Sequence, residues 1–193
     1  MGSECVTDTE VLQVFRDTGA LLDGHFLLRS GLHSGQYFQC AQVLQYPRIA
    51  ERLCGGLAEK LRGAGARSVI SPALGGLFVG HEVARALDAR HIFVEKNAAG
   101  KLELRRSFHI ARGEKLLVVE DVVTKGGRVQ EVIDIVRGLG GEVVGVGTLV
   151  DRSDGKVDFG VRVESLLRLP VDTFDPATCP LCKAGVSVTK PGS

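Results

Sequence analysis

Short apolar runs alternate with helical patterns through the middle of the chain, and this alternation limits its possible folds more than any other feature. The predicted strands and helices cover, in chain order, residues 49–61 (helix), 67–71 (strand), 77–87 (helix), 91–95 (strand), 116–119 (strand), 128–139 (helix) and 142–150 (strand). Strands that alternate with helices of about ten or more residues are typical of a parallel sheet joined by right-handed crossovers. We therefore predict an α/β fold whose core is a doubly wound parallel sheet.

Residues 1–45 and 157–193 do not follow this alternation. The patterns near the amino terminus predict an amphipathic helix at residues 9–18, a strand at residues 25–28 and a turn at residues 31–35. A chain of 193 residues that is 44% hydrophobic can bury one sizeable core. We predict a single domain in which residues 46–156 form the core and the two flanking segments form a small hood over the sheet.

The composition argues against two classes of partner. The formal net charge is +1, with two Tyr and no Trp, whereas a nucleic-acid binder usually has a basic stripe and stacking aromatic residues. No apolar run approaches the roughly 18 residues of a membrane helix, and the acidic residues Glu4, Asp8 and Glu10 do not suit a secretory signal. We expect a cytoplasmic protein that acts on small molecules, without a nucleic-acid or membrane partner.

The apolar run at residues 116–119 leads into two adjacent carboxylates, Glu120 and Asp121, and then into a polar, glycine-containing turn at residues 124–128. In open α/β sheets, ligands bind beyond the carboxyl ends of the strands. Backbone N–H groups at the start of the following helix can bind a phosphate. Carboxylates can accept hydrogen bonds from the vicinal hydroxyls of a ribose, so this order of residues indicates a site for a sugar 5-phosphate.

Two further segments suit a leaving group that carries several negative charges. Residues 71–76 pass from a predicted strand into a helix and offer backbone N–H groups. Lys96 directly follows the next predicted strand. A polar stretch with Lys101, Arg105 and Arg106 comes after it, and a glycine at position 100 would allow this stretch to move as a lid.

A planar, anionic base would match two other segments. Arg152 follows the last predicted strand at its carboxyl end, and a guanidinium group suits a carboxylate or paired carbonyl groups. Near the amino terminus, Arg29 is followed by the aromatic residues Tyr37 and Phe38.

Together these segments resemble the orotate phosphoribosyltransferases of the type I phosphoribosyltransferase family, from about residue 17 to residue 182. The matching motifs lie at residues 24–34, 72–76, 93–96, 104–106, 115–128 and 150–152. The resemblance implies transfer of ribose 5-phosphate from phosphoribosyl pyrophosphate (PRPP) to orotate in pyrimidine synthesis, with Mg2+ held mainly by PRPP. It also implies a homodimer in which a basic lid from the neighbouring subunit closes over the pyrophosphate.

The resemblance assigns roles to individual residues. The implied catalytic residues are Lys96, Glu120 and Asp121. The implied PRPP-binding residues are Ala73, Leu74, Gly75, Gly76, Lys96, Lys101, Glu120, Asp121, Val122, Val123, Thr124, Lys125, Gly126, Gly127 and Arg128. The implied orotate-binding residues are Arg29, Tyr37, Phe38, Thr124 and Arg152.

The sequence leaves several alternatives open. Gly75 and Glu95 stand where better-known members of the family have a lysine and an arginine, and Lys101 and Arg105 are the candidates to replace the usual lid residues. Lys125 and Arg128 would either bind phosphate or face solvent. The alternative functions are transfer to a purine or to uracil, and a regulator that binds PRPP without turnover.

The cysteines raise a separate question. Five widely separated cysteines argue against a disulfide framework. Cys179 and Cys182 have the spacing of half a zinc site, but a structural zinc needs four ligands. A metal site, a redox pair and a plain turn with two thiols all stay open, and we assign neither a protein-bound metal nor a catalytic histidine.

Overall fold

The computed structural model describes residues 6–28 and 30–191, which form nine strands and six α-helices. The strands are β1 (Leu21–Leu27), β2 (His33–Phe38), β3 (Ser68–Pro72), β4 (Arg90–Lys96), β5 (Leu102–Leu104), β6 (Lys115–Val123), β7 (Glu142–Asp151), β8 (Val163–Arg168) and β9 (Thr173–Phe174). The helices are α1 (Asp8–Asp17), α2 (Cys40–Leu44), α3 (Pro47–Leu61), α4 (Gly75–Leu87), α5 (Gly127–Gly138) and α6 (Pro180–Lys183), and a 3-10 turn spans Arg62–Ala64. None of the described helices is long and apolar enough to cross a membrane.

The main sheet has six strands in the order β5-β4-β3-β6-β7-β8. Its pairs are parallel except for β5, which runs antiparallel to β4 at the edge. Apolar residues of α3 and α4 pack on one face of the sheet, and those of α5 pack on the other. Because both faces are covered, the central strand β6 is apolar without alternation, and its residues 116–119 are fully buried. The predicted doubly wound α/β fold is confirmed.

Several local predictions had the wrong bounds, and the predicted strand at residues 25–28 spans Leu21–Leu27. The predicted strand at residues 116–119 continues through Val123, because its pairing with β7 extends to Asp151. The acidic pair therefore lies inside β6 rather than at its end. The predicted turn at residues 31–35 is also too long, since β2 begins at His33 and pairs antiparallel with β1.

The segments expected to form the hood divide between two sheets. Strands β1, β2 and β9 form a small antiparallel sheet, and Phe26 of β1 makes a further bridge with Thr189 near the carboxyl terminus. Both ends of the chain therefore contribute to one hood. Strand β8 differs from the expectation, because it extends the main sheet beside β7 although it lies after residue 157.

Candidate functional site

The carboxyl ends of β3, β4 and β6 surround a cleft of about 620 Å3. Its lining residues are Pro72, Ala73, Leu74, Gly75, Glu95, Lys96, Glu120, Asp121 and Arg128. A second depression of about 650 Å3 lies at the opposite edge of the sheet, near the first residues of β3, β4 and β6. Ligands of open α/β sheets bind at the carboxyl edge. The first cleft, which unites three segments predicted from the sequence, is therefore the candidate site.

Glu120, which is buried, and Asp121, which is half-buried, form an acidic pair in this cleft. The Asp121 backbone N–H donates to Glu120 Oε1 at 3.1 Å, and the Val122 backbone N–H donates to Asp121 Oδ1 at 2.9 Å. Burial and the charge of Asp121 raise the pKa of Glu120 well above its ordinary value, and burial also raises the pKa of Asp121. The ionised form of the pair therefore carries an electrostatic cost in this fold. Hydroxyl groups or a cation from a ligand would relieve it.

The turn before α4 packs directly against this pair. A Cβ atom at Gly75 would lie 2.8 Å from both carboxylate oxygens of Asp121, and one at Gly76 would lie 3.1 Å from Glu120 Oε1. The turn therefore presents its backbone to the cleft, next to Ala73 and the exposed Leu74. A side chain at position 75 would therefore have to displace the Asp121 carboxylate.

This close contact leads to a prediction for Gly75→Ala. The added Cβ should displace the Asp121 carboxylate and raise the KM for PRPP, the substrate that the resemblance implies, about tenfold, which corresponds to about 1.4 kcal/mol. Steady-state kinetics with varied PRPP would measure it. Gly55→Ala in α3 is the matched control, because a Cβ there has no atom within 4 Å and should leave the KM unchanged. An unchanged KM in Gly75→Ala would mean that binding of PRPP does not depend on the observed position of the Asp121 carboxylate.

The loop after β6 enters α5 through Gly126, which has a φ of 75°. A Cβ at Gly126 would lie 2.5 Å from Val157 Cγ1, so both the backbone angle and the packing require glycine. Helix α5 begins at Gly127, and the N–H groups of its first turn have no carbonyl partner within the helix. This is the local structure that was predicted to receive a phosphate.

The two cations of this loop have different surroundings. Arg128 is half-buried, lines the cleft and lies 3.4 Å from Glu131 Oε2, and its charge opposes the rise in the pKa of Glu120. Lys125 is exposed and is not among the residues that line the cleft, and Thr124 is exposed as well. The side chain of Val123 packs in the apolar core, so only its backbone could face a ligand.

Lys96 was predicted to follow a strand at residues 91–95; it is instead the last residue of β4, and it lines the cleft. The residues after it form a tight hairpin turn into β5, because Asn97 Oδ1 accepts hydrogen bonds from the backbone N–H groups of Ala99 and Lys101 at 2.9 and 3.0 Å. Lys101 is exposed at the end of this turn. The predicted lid is therefore a short hairpin in this conformation.

Glu95 forms ion pairs with two arginines that follow the hairpin, Arg105 and Arg106. It forms a two-pronged interaction with Arg106, with distances of 3.1 and 3.0 Å, and an ion pair with Arg105 at 3.4 Å. The hydrogen bonds from Arg106 lower the pKa of Glu95. In this conformation the two arginines neutralise Glu95 at the rim of the cleft.

Arg152 directly follows β7 and has a buried hydrogen-bond donor that an anion could pair with. Its Nε atom is buried and has no hydrogen-bond partner among the described residues. Burial lowers the pKa of the Arg152 guanidinium, which lies 5.9 Å above the centre of the Phe38 ring. A buried polar atom without a partner is costly, and a ligand carboxylate or carbonyl would satisfy it.

The other predicted base-binding residues differ in their placement. Phe38 is buried beneath Arg152, so it supports the guanidinium rather than offering open surface. Tyr37 is half-buried and packs against Phe26, with ring centres 5.8 Å apart. Arg29 lies outside the described residues.

Two supporting residues were missed by the sequence analysis. Asp151 is buried and accepts hydrogen bonds from the backbone N–H and Oγ of Ser153, at 2.8 and 2.6 Å, which fixes the loop that carries Arg152. The Asp-Arg-Ser order after a strand was an available signal, since Asp side chains often bind the backbone two residues on. Glu131 accepts from the Leu102 backbone N–H at 2.9 Å and pairs with Arg128, and such a distant contact leaves no local signal.

Comparisons with known proteins show the family to which the chain is similar. The sequence model of the phosphoribosyl transferase domain matches residues 41–159. The chain is 56% identical over 184 residues to an orotate phosphoribosyltransferase of Desulforamulus reducens, covering 95% of this chain and 96% of that protein. It is 53% identical over 182 residues to one of Caldicellulosiruptor bescii, covering 94% and 95%. The crystal structure of orotate phosphoribosyltransferase from Aeropyrum pernix superposes with a TM-score of 0.70 at 27% identity, covering 82% of this chain and 93% of that one.

Proposed function

The chain belongs to the phosphoribosyltransferase family, in its orotate-specific branch, and we propose that its cleft transfers ribose 5-phosphate from PRPP to orotate. The products are orotidine 5'-phosphate and pyrophosphate, so the enzyme is a pentosyltransferase. The observation that carries the choice of base is the buried Nε of Arg152, which has no hydrogen-bond partner among the described residues and follows the strand next to β6. A base with a carboxylate supplies the anion that this guanidinium lacks.

Each part of PRPP has a matching part of the cleft. The acidic pair, Glu120 and Asp121, accepts hydrogen bonds from the ribose hydroxyls. The first turn of α5 and Arg128 receive the 5-phosphate, since both offer positive charge. The backbone of the turn at residues 73–76 and the Lys96 ammonium receive the pyrophosphate.

Mg2+ fits the donor set of this cleft. Hard cations prefer oxygen ligands and are often bound through one or two carboxylates together with substrate phosphates. Glu120 and Asp121 supply such carboxylates, and burial raises the pKa values of both although the charge of Arg128 lowers that of Glu120. When bound, Mg2+ would neutralise negative charge on the pyrophosphate. We propose that PRPP holds the ion and that the acidic pair stays close to it.

Charge develops on the ribose and on the pyrophosphate during the transfer, and side chains of the cleft stabilise both charges. As the bond between the anomeric carbon and pyrophosphate breaks, positive charge develops on the ribose ring, and the carboxylates of Glu120 and Asp121 stabilise it. Lys96 stabilises the negative charge on the departing pyrophosphate. Orotate reacts through a ring nitrogen as an anion that Arg152 holds, together with Arg29 as the sequence predicts. This scheme needs no strong general base.

We further propose that the enzyme is a homodimer and that the hairpin at residues 97–101 closes over the site of the partner subunit. The exposed position of Lys101 supports this role. Mixing two inactive variants, Lys101→Ala and Asp121→Asn, would test it. In a mixed dimer with crossed lids, one of the two sites has both native residues. Half of the dimers in an equimolar mixture are mixed, so the activity of the mixture should return to roughly a quarter of wild type. No recovery from confirmed mixed dimers would mean that each hairpin serves its own site.

The choice of base is tested by a direct assay. The protein is incubated with PRPP and Mg2+ and with orotate, uracil, adenine or hypoxanthine in turn, and loss of each base is followed. Orotate alone should be consumed. Turnover of a purine instead would contradict the proposal, and PRPP binding without turnover of any base would indicate a regulator.

The cytoplasmic location stays a prediction.

A further inference from the structure

The hood brings together four side chains that commonly bind metals. They are His25 of β1, His33 of β2, Cys179 directly before α6, and Cys182 within α6. One nitrogen of each histidine and the Sγ atom of each cysteine all lie within 4.8 Å of one another. The half-site seen in the sequence at Cys179 and Cys182 is therefore completed by two histidines that lie about 150 residues earlier in the chain.

The separations of these atoms are close to those of a tetrahedral zinc site. Zn–N and Zn–S bonds of about 2.0 and 2.3 Å place ligand atoms about 3.3 to 3.8 Å apart in a tetrahedron. His25 Nε2 lies 3.5 Å from Cys179 Sγ and 3.7 Å from Cys182 Sγ, and His33 Nδ1 lies 3.3 Å from Cys182 Sγ. The two histidine nitrogens are 2.8 Å apart, so a bound ion requires them to separate by only about 0.5 Å.

A second contact orients His25 as a metal ligand. Its Nδ1 lies 2.7 Å from the carbonyl oxygen of Val186. Since a carbonyl only accepts, Nδ1 carries the proton and the Nε2 lone pair points toward the cluster. Metal-binding histidines commonly donate their other N–H to a carbonyl or carboxylate in this way.

The surroundings indicate a structural ion. His25, His33 and Cys179 are buried, whereas Cys182 is exposed and leaves a path by which an ion can enter. Two nitrogens and two sulfurs complete a tetrahedral zinc shell, with no open position for a substrate. Helix α6 has four residues and none of them is buried, so apolar packing holds this segment only weakly.

We propose that His25, His33, Cys179 and Cys182 bind one structural Zn2+ that joins the carboxyl-terminal segment to the β1–β2 hairpin. The two histidines flank residues 28–32, the connection that contains Arg29. His33 also begins the strand that carries Tyr37 and Phe38. The ion therefore fixes the part of the hood expected to hold the base, although it takes no part in the transfer itself.

Metal analysis of the purified full-length protein tests this proposal. Wild type prepared under reducing conditions should contain about one zinc per chain by mass spectrometry. The double variant Cys179→Ser/Cys182→Ser should contain little or none. Cys54→Ala is the matched control, because Cys54 is a buried thiol of α3 outside the cluster, and it should keep its zinc. Full zinc content in the double variant would overturn the proposal.

Two measurements on the wild type do not depend on whether the variant folds. Replacement of zinc by Co2+ should give the thiolate charge-transfer and d–d absorption bands of a tetrahedral cobalt site. Removal of zinc by a chelator should lower the melting temperature, and added Zn2+ should restore it. A wild-type protein that neither contains nor takes up zinc, or that forms a Cys179–Cys182 disulfide under reducing conditions, would contradict the proposal.

Discussion

We expect Asp121→Asn to lower kcat by about 100- to 1,000-fold, the usual range for loss of a preorganised group that stabilises charge in the transition state. The amide is similar in size to the carboxylate, but it carries no charge to oppose the positive charge on the ribose. The KM for orotate should change little, because Arg152 lies beyond the end of the neighbouring strand β7. Steady-state kinetics with each substrate varied in turn would separate these effects.

The same variant should not be less stable than wild type at neutral pH. Burial raises the pKa values of both Glu120 and Asp121, so the folded protein binds protons more tightly than the unfolded chain. The free energy of unfolding therefore falls as the pH rises from the ordinary carboxyl range, about 4, through the raised pKa values of the pair. Asn removes one of the two charges, so its melting temperature should equal or exceed that of wild type at pH 7. The difference should shrink toward pH 4.

Asp134→Asn provides the matched control for this prediction. Asp134 is exposed on α5, where it accepts a hydrogen bond from Gln130 at 2.8 Å, and it is not among the cleft residues. The same chemical change there should leave kcat and the melting temperature close to wild type. Full activity in Asp121→Asn would show that the acidic pair does not hold the ribose.

Local chemistry explains which parts of the site could be predicted from the sequence. The acidic pair, the turn at Gly75 and Lys96 each follow an apolar run that predicts a strand, and the carboxyl ends of parallel strands meet at one edge. Sequence order alone therefore placed them in one cleft. The residue at which β6 ends could not be predicted in the same way, because it depends on the pairing of β6 with β7 as far as Asp151.

Other features depend on contacts between distant parts of the chain. Helix α5 begins at Gly127. A shift of the helix start by one residue would change which side chains face the cleft. In the structure Arg128 lines the cleft, whereas Lys125 faces solvent. The partners of Cys179 and Cys182 lie on β1 and β2. No spacing rule connects residues so far apart, so the sequence showed only half of that cluster.

Arg152→Ala should raise the KM for orotate about 10- to 100-fold, since a hydrogen bond to a charged group contributes about 1.5 to 3 kcal/mol. Arg152→Lys keeps the charge but loses the planar fork, so it should lie between wild type and the alanine variant. The KM for PRPP should stay near its wild-type value in both. Arg137→Ala, an exposed arginine in the last turn of α5, is the matched control and should leave both constants unchanged.

A comparison of two bases makes this prediction specific to the carboxylate. Uracil has the same ring as orotate without the carboxylate, so the ratio of kcat/KM for orotate to that for uracil measures what the carboxylate contributes. If Arg152 holds that group, Arg152→Ala should reduce this ratio by about the factor by which it raises the orotate KM. A variant that loses activity equally with both bases would instead place Arg152 at the ring carbonyls. An unchanged orotate KM with a raised PRPP KM would move its role to the phosphate end of the site.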